Sequence, residues 1–146
     1  MKFNKGQSIF EVIAAIGLIS LIMIVIVAMA GLSVKNNSYS RNNTLATRSS
    51  EETLEWLKEQ KDTNWTDFSE HAVNQKWCFP TLSFVDGKVG PCGSEDFIQG
   101  TEIKREVNFS TIDTSNIQTI TTIYWTDTGG YHEVSSVTDL TNWQAK

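Results

Sequence analysis

The chain has 146 residues, of which 40% are hydrophobic and 20% charged, and a formal net charge of -5 at pH 7. This length accommodates one modest globular domain. Its basic residues are scattered along the sequence, so the clustered positive charge of nucleic-acid-binding proteins is absent and no nucleic-acid partner is predicted.

An uncharged apolar stretch occupies residues 12–34. As an α-helix it would extend about 35 Å, enough to cross a lipid bilayer. Lys2 and Lys5 precede the stretch and no comparable basic cluster follows it, so the positive-inside rule predicts a cytoplasmic amino terminus. The sequence therefore predicts a single-pass protein of the cytoplasmic membrane, with the lipid bilayer as a partner and everything after about Ser33 outside.

Glu11 stands immediately before this stretch. A charged residue in mid-bilayer costs on the order of 2.5–3.5 kcal/mol, so its presence requires an explanation. A secretory signal peptide cut after Ala30 matches the small residues at 28–30, but such peptides usually have an apolar part of only about 7–15 residues. A generic membrane anchor fits the length and gives Glu11 no role.

The order of residues at the amino terminus supports a third interpretation. A short basic leader, MKFNK, is followed by Gly6, then by QSIFE, then by the apolar stretch. This order resembles the amino-terminal motif of the type IV pilin family, which includes the pseudopilins of type II secretion. The resemblance implies that a prepilin peptidase cuts after Gly6, that Gln7 becomes the new amino terminus and is N-methylated, and that Glu11 is the fifth residue of the mature chain.

The resemblance also implies a role for Glu11 in filament assembly. Cleavage creates an α-amine at Gln7, which is largely protonated at neutral pH because its reference pKa is about 7.7–8.0. In pilin filaments the carboxylate at the fifth position is thought to pair with the terminal amine of a neighbouring subunit, so that a costly charge sets the register between chains. The implied partners are other pilin subunits, the prepilin peptidase and the membrane platform protein of the assembly machine.

Beyond the apolar stretch, the sequence favours a bend or local melting of the helix followed by an amphipathic continuation. Gly31, Ser33 and Asn36 weaken helix propensity, and a glycine alone costs about 1 kcal/mol relative to alanine. Residues 35–62 form the predicted second half of the helix. Their core-facing stripe consists of Leu45, Ala46, Ser50, Leu54 and Leu57.

The remaining residues, 63–146, are predicted to form a β-rich extracytoplasmic globular region. IKREVNF alternates with Ile103, Val107 and Phe109 on one face, while the mixed charges of GTEIKREV indicate a solvated face. The stretches IQTITTIYW and YHEVSSVTDL, separated by a glycine-containing turn, predict a hairpin, and SFVDGKVG predicts a smaller one around Asp86 and Gly87. The predicted fold is α+β: a long amino-terminal helix, membrane-spanning in its first half, packed on an antiparallel sheet of about three to five strands, as in pilins.

Cys78 and Cys92 are the two cysteines, and both follow the apolar stretch. Outside the cytoplasm a disulfide is the natural expectation, and its loop, residues 78–92, would contribute roughly 3 kcal/mol by the chain-entropy account. Two buried free thiols are the alternative. A zinc site would need more ligands than these cysteines and the separated His71 and His132 supply, so no metal or other cofactor is predicted.

The aromatic-rich composition of the disulfide loop suggests an interaction surface. We consider the hypothesis that Phe79 or Phe84 is presented to a partner. No nucleophile, phosphate-loop or zinc-helix motif occurs, and His71 and His132 are expected to be ordinary surface or strand residues, so no enzyme is predicted.

The resemblance to the type IV pilin family implies that the chain is a structural subunit of a type IV pilus or a type II secretion-like filament, a minor pilin or a pseudopilin. Residues 1–6 would be the leader and residues 7–34 the helix that spans the membrane and later forms the filament core. The alternative is a monomeric membrane-anchored extracytoplasmic binding domain.

Overall fold

The computed structural model describes residues 9–143. Two helices, α1 (Ile9–Thr63) and α2 (Trp65–His71), are followed by five strands. The strands are β1 (Lys76–Cys78), β2 (Lys88–Val89), β3 (Lys104–Asp113), β4 (Asn116–Asp127) and β5 (Gly130–Thr141). All pair antiparallel in one sheet of order β2-β1-β3-β4-β5. The predicted α+β class, a long amino-terminal helix packed on an antiparallel sheet, is confirmed.

The chain divides into two compact units, one ending at Ser38 and the other beginning at Tyr39. The described part of the first unit is entirely helical and belongs to α1. The helix continues through Gly31, Ser33 and Asn36, so the local melting expected there is not observed. A penalty of about 1 kcal/mol at an isolated glycine is small beside the cooperativity of a long helix, in which each further residue adds one hydrogen bond.

In the second unit, α1 buries one narrow face against the sheet. The buried residues are Ala46, Ser50, Thr53 and Leu57, spaced by three or four residues as a helical stripe requires. The predicted stripe is confirmed at three of these positions, and Thr53 is a member that the periodicity did not include. Leu45 packs against the same core from the edge of the stripe.

The core consists of two apolar clusters separated by polar side chains. The first contains Leu57, Phe68, Ala72, Trp77, Phe79, Val107, Phe109, Ile117 and Leu140. The second contains Ala46, Ile103, Ile123 and Trp125. Along α1, β3 and β4, the positions between the clusters are polar and buried: Ser50, Thr53, Arg105, Thr119 and Thr121. This polar layer includes a hydrogen bond between the hydroxyls of Ser50 and Ser136, which ties α1 to β5 at 3.0 Å.

The predicted large hairpin is confirmed as β4 and β5, whose register runs from Asn116 opposite Thr141 to Asp127 opposite Gly130. Gly130 has φ +116°, a conformation that favours glycine at the end of the turn.

The predicted small hairpin around Asp86 and Gly87 is wrong. The segment before β2 instead forms a compact turn, in which the Gly87 amide donates to the Ser83 carbonyl at 2.9 Å. β2 pairs with β1, with Val89 opposite Trp77. A side chain at position 87 would collide with the Phe79 ring, because a Cβ there would lie 2.7 Å from it.

The short helix α2 lies in the region predicted to be β and loop. Its amino-terminal cap is Asn64, whose side-chain oxygen accepts from the Asp67 amide at 3.3 Å. Asn64 followed three residues later by an acidic residue is the signal that could have revealed this helix. Phe68 anchors α2 in the first apolar cluster.

Candidate functional site

The apolar stretch of α1 exposes its side chains on every side of the helix. Large apolar residues from Ile9 to Val34 are solvent-exposed, and none of the most apolar 18-residue window is buried. By length and composition, this helix could cross a membrane. A helix that is apolar all round is stable only when lipid or other apolar helices surround it. The apolar stretch therefore requires lipid or other apolar helices to cover its surface.

Glu11 lies in the first turn of α1 as described, and its side chain is exposed. A carboxylate in the first turn interacts favourably with the helix dipole, by roughly 0.3–1 kcal/mol at an exposed position. Within residues 9–143 Glu11 makes no ion pair and no hydrogen bond. Gly6 and Gln7, the predicted cleavage and methylation positions, lie outside the described residues.

The predicted disulfide is present: Cys78, the last residue of β1, is bonded to Cys92. Both cysteines are consumed by this bond, which excludes the alternative of two free thiols. The sequence separation is 14, for which loop closure contributes roughly 3 kcal/mol by the chain-entropy account. The bond holds the segment that carries Phe79 and Phe84 against the core.

The hypothesis that the loop presents Phe79 to a partner is wrong, whereas Phe84 is partly buried and lines a surface groove. Phe79 is completely buried, with its ring stacked on Trp77 at a centroid distance of 5.5 Å. Phe84 packs against the first apolar cluster, 5.0 Å from the Trp56 ring. The large apolar residues that this loop exposes are Val85, at 93%, and Val89, at 63%. Burying two phenyl rings is more favourable than exposing them, by about 1.5–3 kcal/mol per ring.

Arg105 contradicts the prediction of a solvated charged face on β3. Its side chain is only 3% exposed and points toward α1. Nε donates to the Phe79 carbonyl at 2.9 Å, and a terminal nitrogen donates to the Thr53 hydroxyl at 3.1 Å. Burial lowers the pKa of Arg105 to about 10, an effect opposed by the negative charge of Glu52. The guanidinium stays charged at neutral pH and joins α1, β3 and the disulfide loop.

Glu106 forms a second polar junction on the opposite face of β3. Its Oε1 accepts from the Cys92 amide and from the Tyr124 hydroxyl, both at 2.9 Å, and Oε2 accepts from Lys76 at 3.0 Å. Burial alone would raise the pKa of Glu106, but these hydrogen bonds outweigh it and hold the pKa below its ordinary value. The carboxylate thereby connects the disulfide, β1 and β4.

This junction predicts a loss of stability in acid. Because the folded state lowers the pKa of Glu106, its contribution is complete above the unfolded pKa of 4.5 and disappears as the pH falls through the folded value. We expect Glu106→Gln to lose less unfolding free energy than the wild type between about pH 5 and about pH 3 in urea titrations. Glu70→Gln, which alters an exposed glutamate of α2, is the control and should keep the wild-type pH dependence. Equal slopes for Glu106→Gln and the wild type would contradict this account.

The two histidines lie in separate places. His71 Nδ1 is 2.8 Å from the Asp67 carbonyl, and its ring stacks on Phe84. His132 Nε2 is 3.0 Å from Asp127 Oδ1, and its ring stacks on Trp125. Each ring is thus held by its own local partners, and neither is hydrogen-bonded to a serine, threonine or cysteine side chain in residues 9–143.

Comparisons with protein-family models, with curated proteins and with solved structures give no match to this chain. The amino-terminal sequence and the geometry of the described residues are therefore what indicates the function.

Proposed function

We propose that this chain is a pilin-like structural subunit that is cut after Gly6, held in the membrane by α1 and assembled into a filament through that helix. The observation that carries the proposal is the exposed apolar surface of α1 with Glu11 at its beginning, five residues after Gly6. Catalysis forms no part of the proposed role.

The apolar surface of α1 is suited to two environments, which the subunit would occupy one after the other. Before assembly, lipid covers the side chains from Ile9 to Val34, in agreement with the membrane-spanning length. After assembly, the same side chains of neighbouring copies cover one another. A surface that is apolar on all sides suits both, because close-packed helices and lipid tails are similar as solvents for aliphatic groups.

Glu11 supports assembly over simple anchoring. An isolated carboxylate at this depth is a cost to a monomeric anchor, whereas a protonated amine at Gln7 of a neighbouring copy would neutralise it. A pair of this kind forms only when two copies reach the correct axial offset, so it selects a register. The membrane-anchored monomer remains the competing function, since its anchor needs only the length and composition of the stretch.

The proposed partners follow from this role. They are further copies of the chain or related pilin subunits, a prepilin peptidase that acts on Gly6 and Gln7, and a membrane platform protein that moves subunits from the bilayer into the filament. The proposed location is the cytoplasmic membrane, with the unit that begins at Tyr39 outside, and then an extracellular filament.

The test combines processing with assembly in the native host. We expect the amino-terminal peptide, measured by mass spectrometry, to begin at Gln7 in both the wild type and Glu11→Ala. Removing one partner of a buried charge pair is strongly unfavourable, so the fraction of Glu11→Ala recovered in sheared filaments should fall at least about tenfold.

Glu95→Ala is the matched control, because it removes an exposed glutamate of the globular unit and should assemble normally. A peptide beginning at Gly31 would mean a secreted protein. An intact Met1, with Glu11→Ala behaving as the wild type, would instead favour the monomeric anchor.

A further inference from the structure

The side of α1 that faces away from the sheet carries two arginines followed by two glutamates at the same spacing. Arg41 and Arg48 are seven residues apart, and so are Glu52 and Glu59. All four side chains are exposed, while the stripe from Ala46 to Leu57 that packs on the sheet lies on the other side of the helix. None of the four makes an ion pair or a hydrogen bond within residues 9–143.

The two arginines form no ion pair along their own helix within residues 9–143. Helical neighbours three and four residues apart are the ones that meet, and for Arg41 those on the carboxyl side are Thr44 and Leu45. Across the adjacent groove Arg41 faces Glu102 without forming an ion pair. Arg48 has Glu51 three residues later and Glu52 four residues later, both in the basic-before-acidic order that is the weaker orientation on a helix, and it forms an ion pair with neither.

Glu59 has mainly unfavourable electrostatic neighbours at helical spacing. Glu55 precedes it by four residues and Asp62 follows it by three, and like charges at these spacings destabilise a helix. Lys58 lies one position away and therefore points to a different side. The carboxyl-terminal part of this face is thus acidic and self-repelling, and a positive partner would relieve it.

The spacing allows both arginines to meet both glutamates at once in a second copy. Glu52 follows Arg41 by eleven residues, and Glu59 follows Arg48 by eleven residues. Eleven residues are close to three full turns, so an offset of about 16 Å along the axis brings the charges together on nearly the same side of the helix. We propose that the charged face of α1, residues 41–59, binds the same face of a second, parallel copy that is displaced by eleven residues.

Two other registers, one antiparallel and one parallel, would also place both arginines opposite acidic residues. In an antiparallel pair Arg41 would meet Glu59 and Arg48 would meet Glu52, but copies inserted in one membrane enter it by the same end and run parallel. A parallel offset of fourteen residues would place Arg41 at Glu55 and Arg48 at Asp62. Asp62 already binds Lys61 at 3.0 Å and accepts from the Trp143 indole at 3.2 Å, so this register has a less available acceptor.

This inference rests on the proposed filament role, and charge exchange tests it separately. Glu52 is left unchanged, because its charge also acts on the buried Arg105. The variants are Arg48→Glu, Glu59→Arg and the double exchange of both, made in the full chain in the native host. The matched control is the double exchange Arg41→Glu with Glu59→Arg, which has the same net charge and would restore only the antiparallel register.

The measurement is the fraction of the protein in sheared filaments relative to the membrane fraction, determined by quantitative immunoblot. We expect each single exchange to lower this fraction about threefold, since an attraction between exposed charges becomes a repulsion. The Arg48→Glu with Glu59→Arg chain should return to the wild-type fraction, and the control should not. Non-reducing gel mobility of the Cys78–Cys92 form checks that every variant is folded.

Three outcomes would overturn the register. If neither single exchange lowers the fraction of protein in filaments, the proposed contact does not form. If both double variants return equally to the wild-type fraction, the effect of the single exchanges is due to net charge. Recovery of the control alone would establish the antiparallel register. In each case wild-type protein in sheared filaments leaves the filament role standing, whereas wild-type protein absent from filaments overturns that role and the register together.

Discussion

Phe79→Ala is expected to lower the free energy of unfolding of the globular unit by about 3–5 kcal/mol. The Phe79 ring is completely buried, and it contacts three other rings: Trp56 at 5.3 Å, Trp77 at 5.5 Å and Phe84 at 5.6 Å between centroids. Removing it leaves a cavity between α1, β1 and the disulfide loop, which the bond to Cys92 prevents from collapsing freely. Urea titration of the full chain in detergent, followed by tryptophan fluorescence, measures the loss.

Val85→Ala is the matched control for this prediction. Val85 belongs to the same disulfide loop and is 93% exposed, so its truncation should change stability by less than about 0.5 kcal/mol. Similar losses for the two variants would mean that the loop does not pack as described and would reopen the possibility that its aromatic residues contact a partner.

Arg105→Ala is expected to cost about 3 kcal/mol, while Arg105→Met should cost only about 1 kcal/mol. Both variants leave the Phe79 carbonyl without its donor at 2.9 Å and deprive Thr53 of one partner. Alanine also leaves a cavity where the arginine stem lay. Methionine fills most of that volume and removes the cost of burying a charge that has no carboxylate in direct contact.

The same urea titration distinguishes the two Arg105 variants. Equal losses for alanine and methionine would show that the charge itself, through its hydrogen bonds and its attraction to Glu52, is the stabilising element. A methionine variant as stable as the wild type would show that the polar layer is not required for stability, as replacement of buried ion pairs by apolar groups has shown in principle.

The parts of the fold that the sequence predicts correctly are those with an uninterrupted periodic pattern. The stripe of α1 repeats every three or four residues, and Ile117, Thr119, Thr121 and Ile123 alternate over one buried face of β4. Each pattern is long enough that many positions support the same assignment. The turn at Gly130 reinforced the second pattern, because its positive φ matches the chemistry of a short connection.

The incorrect predictions involve short segments and one charged side chain. β2 has only two residues, and its pairing with Trp77 and Cys78 is specified by the disulfide and by the turn from Ser83 to Gly87, neither of which is periodic. Arg105 occupies an inward position of β3, where its acceptors come from Thr53 and Phe79, far away in sequence. Burial of a charge depends on partners, and a local pattern contains no information about them.

Among the functional positions, too, some could be predicted from the sequence and others could not. The Cys78–Cys92 bond could be predicted because the chain has two cysteines, which have one possible pairing, and both follow the apolar stretch. The roles proposed for Gly6 and Glu11 could not be derived from periodicity or composition, since they would depend on an enzyme and on a neighbouring copy. The charge spacing between Arg41 and Glu52 is visible in the sequence, but only the packed face of α1 shows that these two side chains are exposed and do not belong to the stripe that packs on the sheet.

The disulfide also limits how far one copy can be stretched. When a chain is pulled from its two ends, tension passes directly between Cys78 and Cys92 and bypasses the residues between them. With a separation of 14 residues, about 45–50 Å of extended backbone is withheld from elongation, at roughly 3.3–3.6 Å per residue. The rings of Phe79 and Phe84 lie inside this sheltered segment, whereas Trp56 and Trp77, on which they pack, lie in parts of the chain that bear tension.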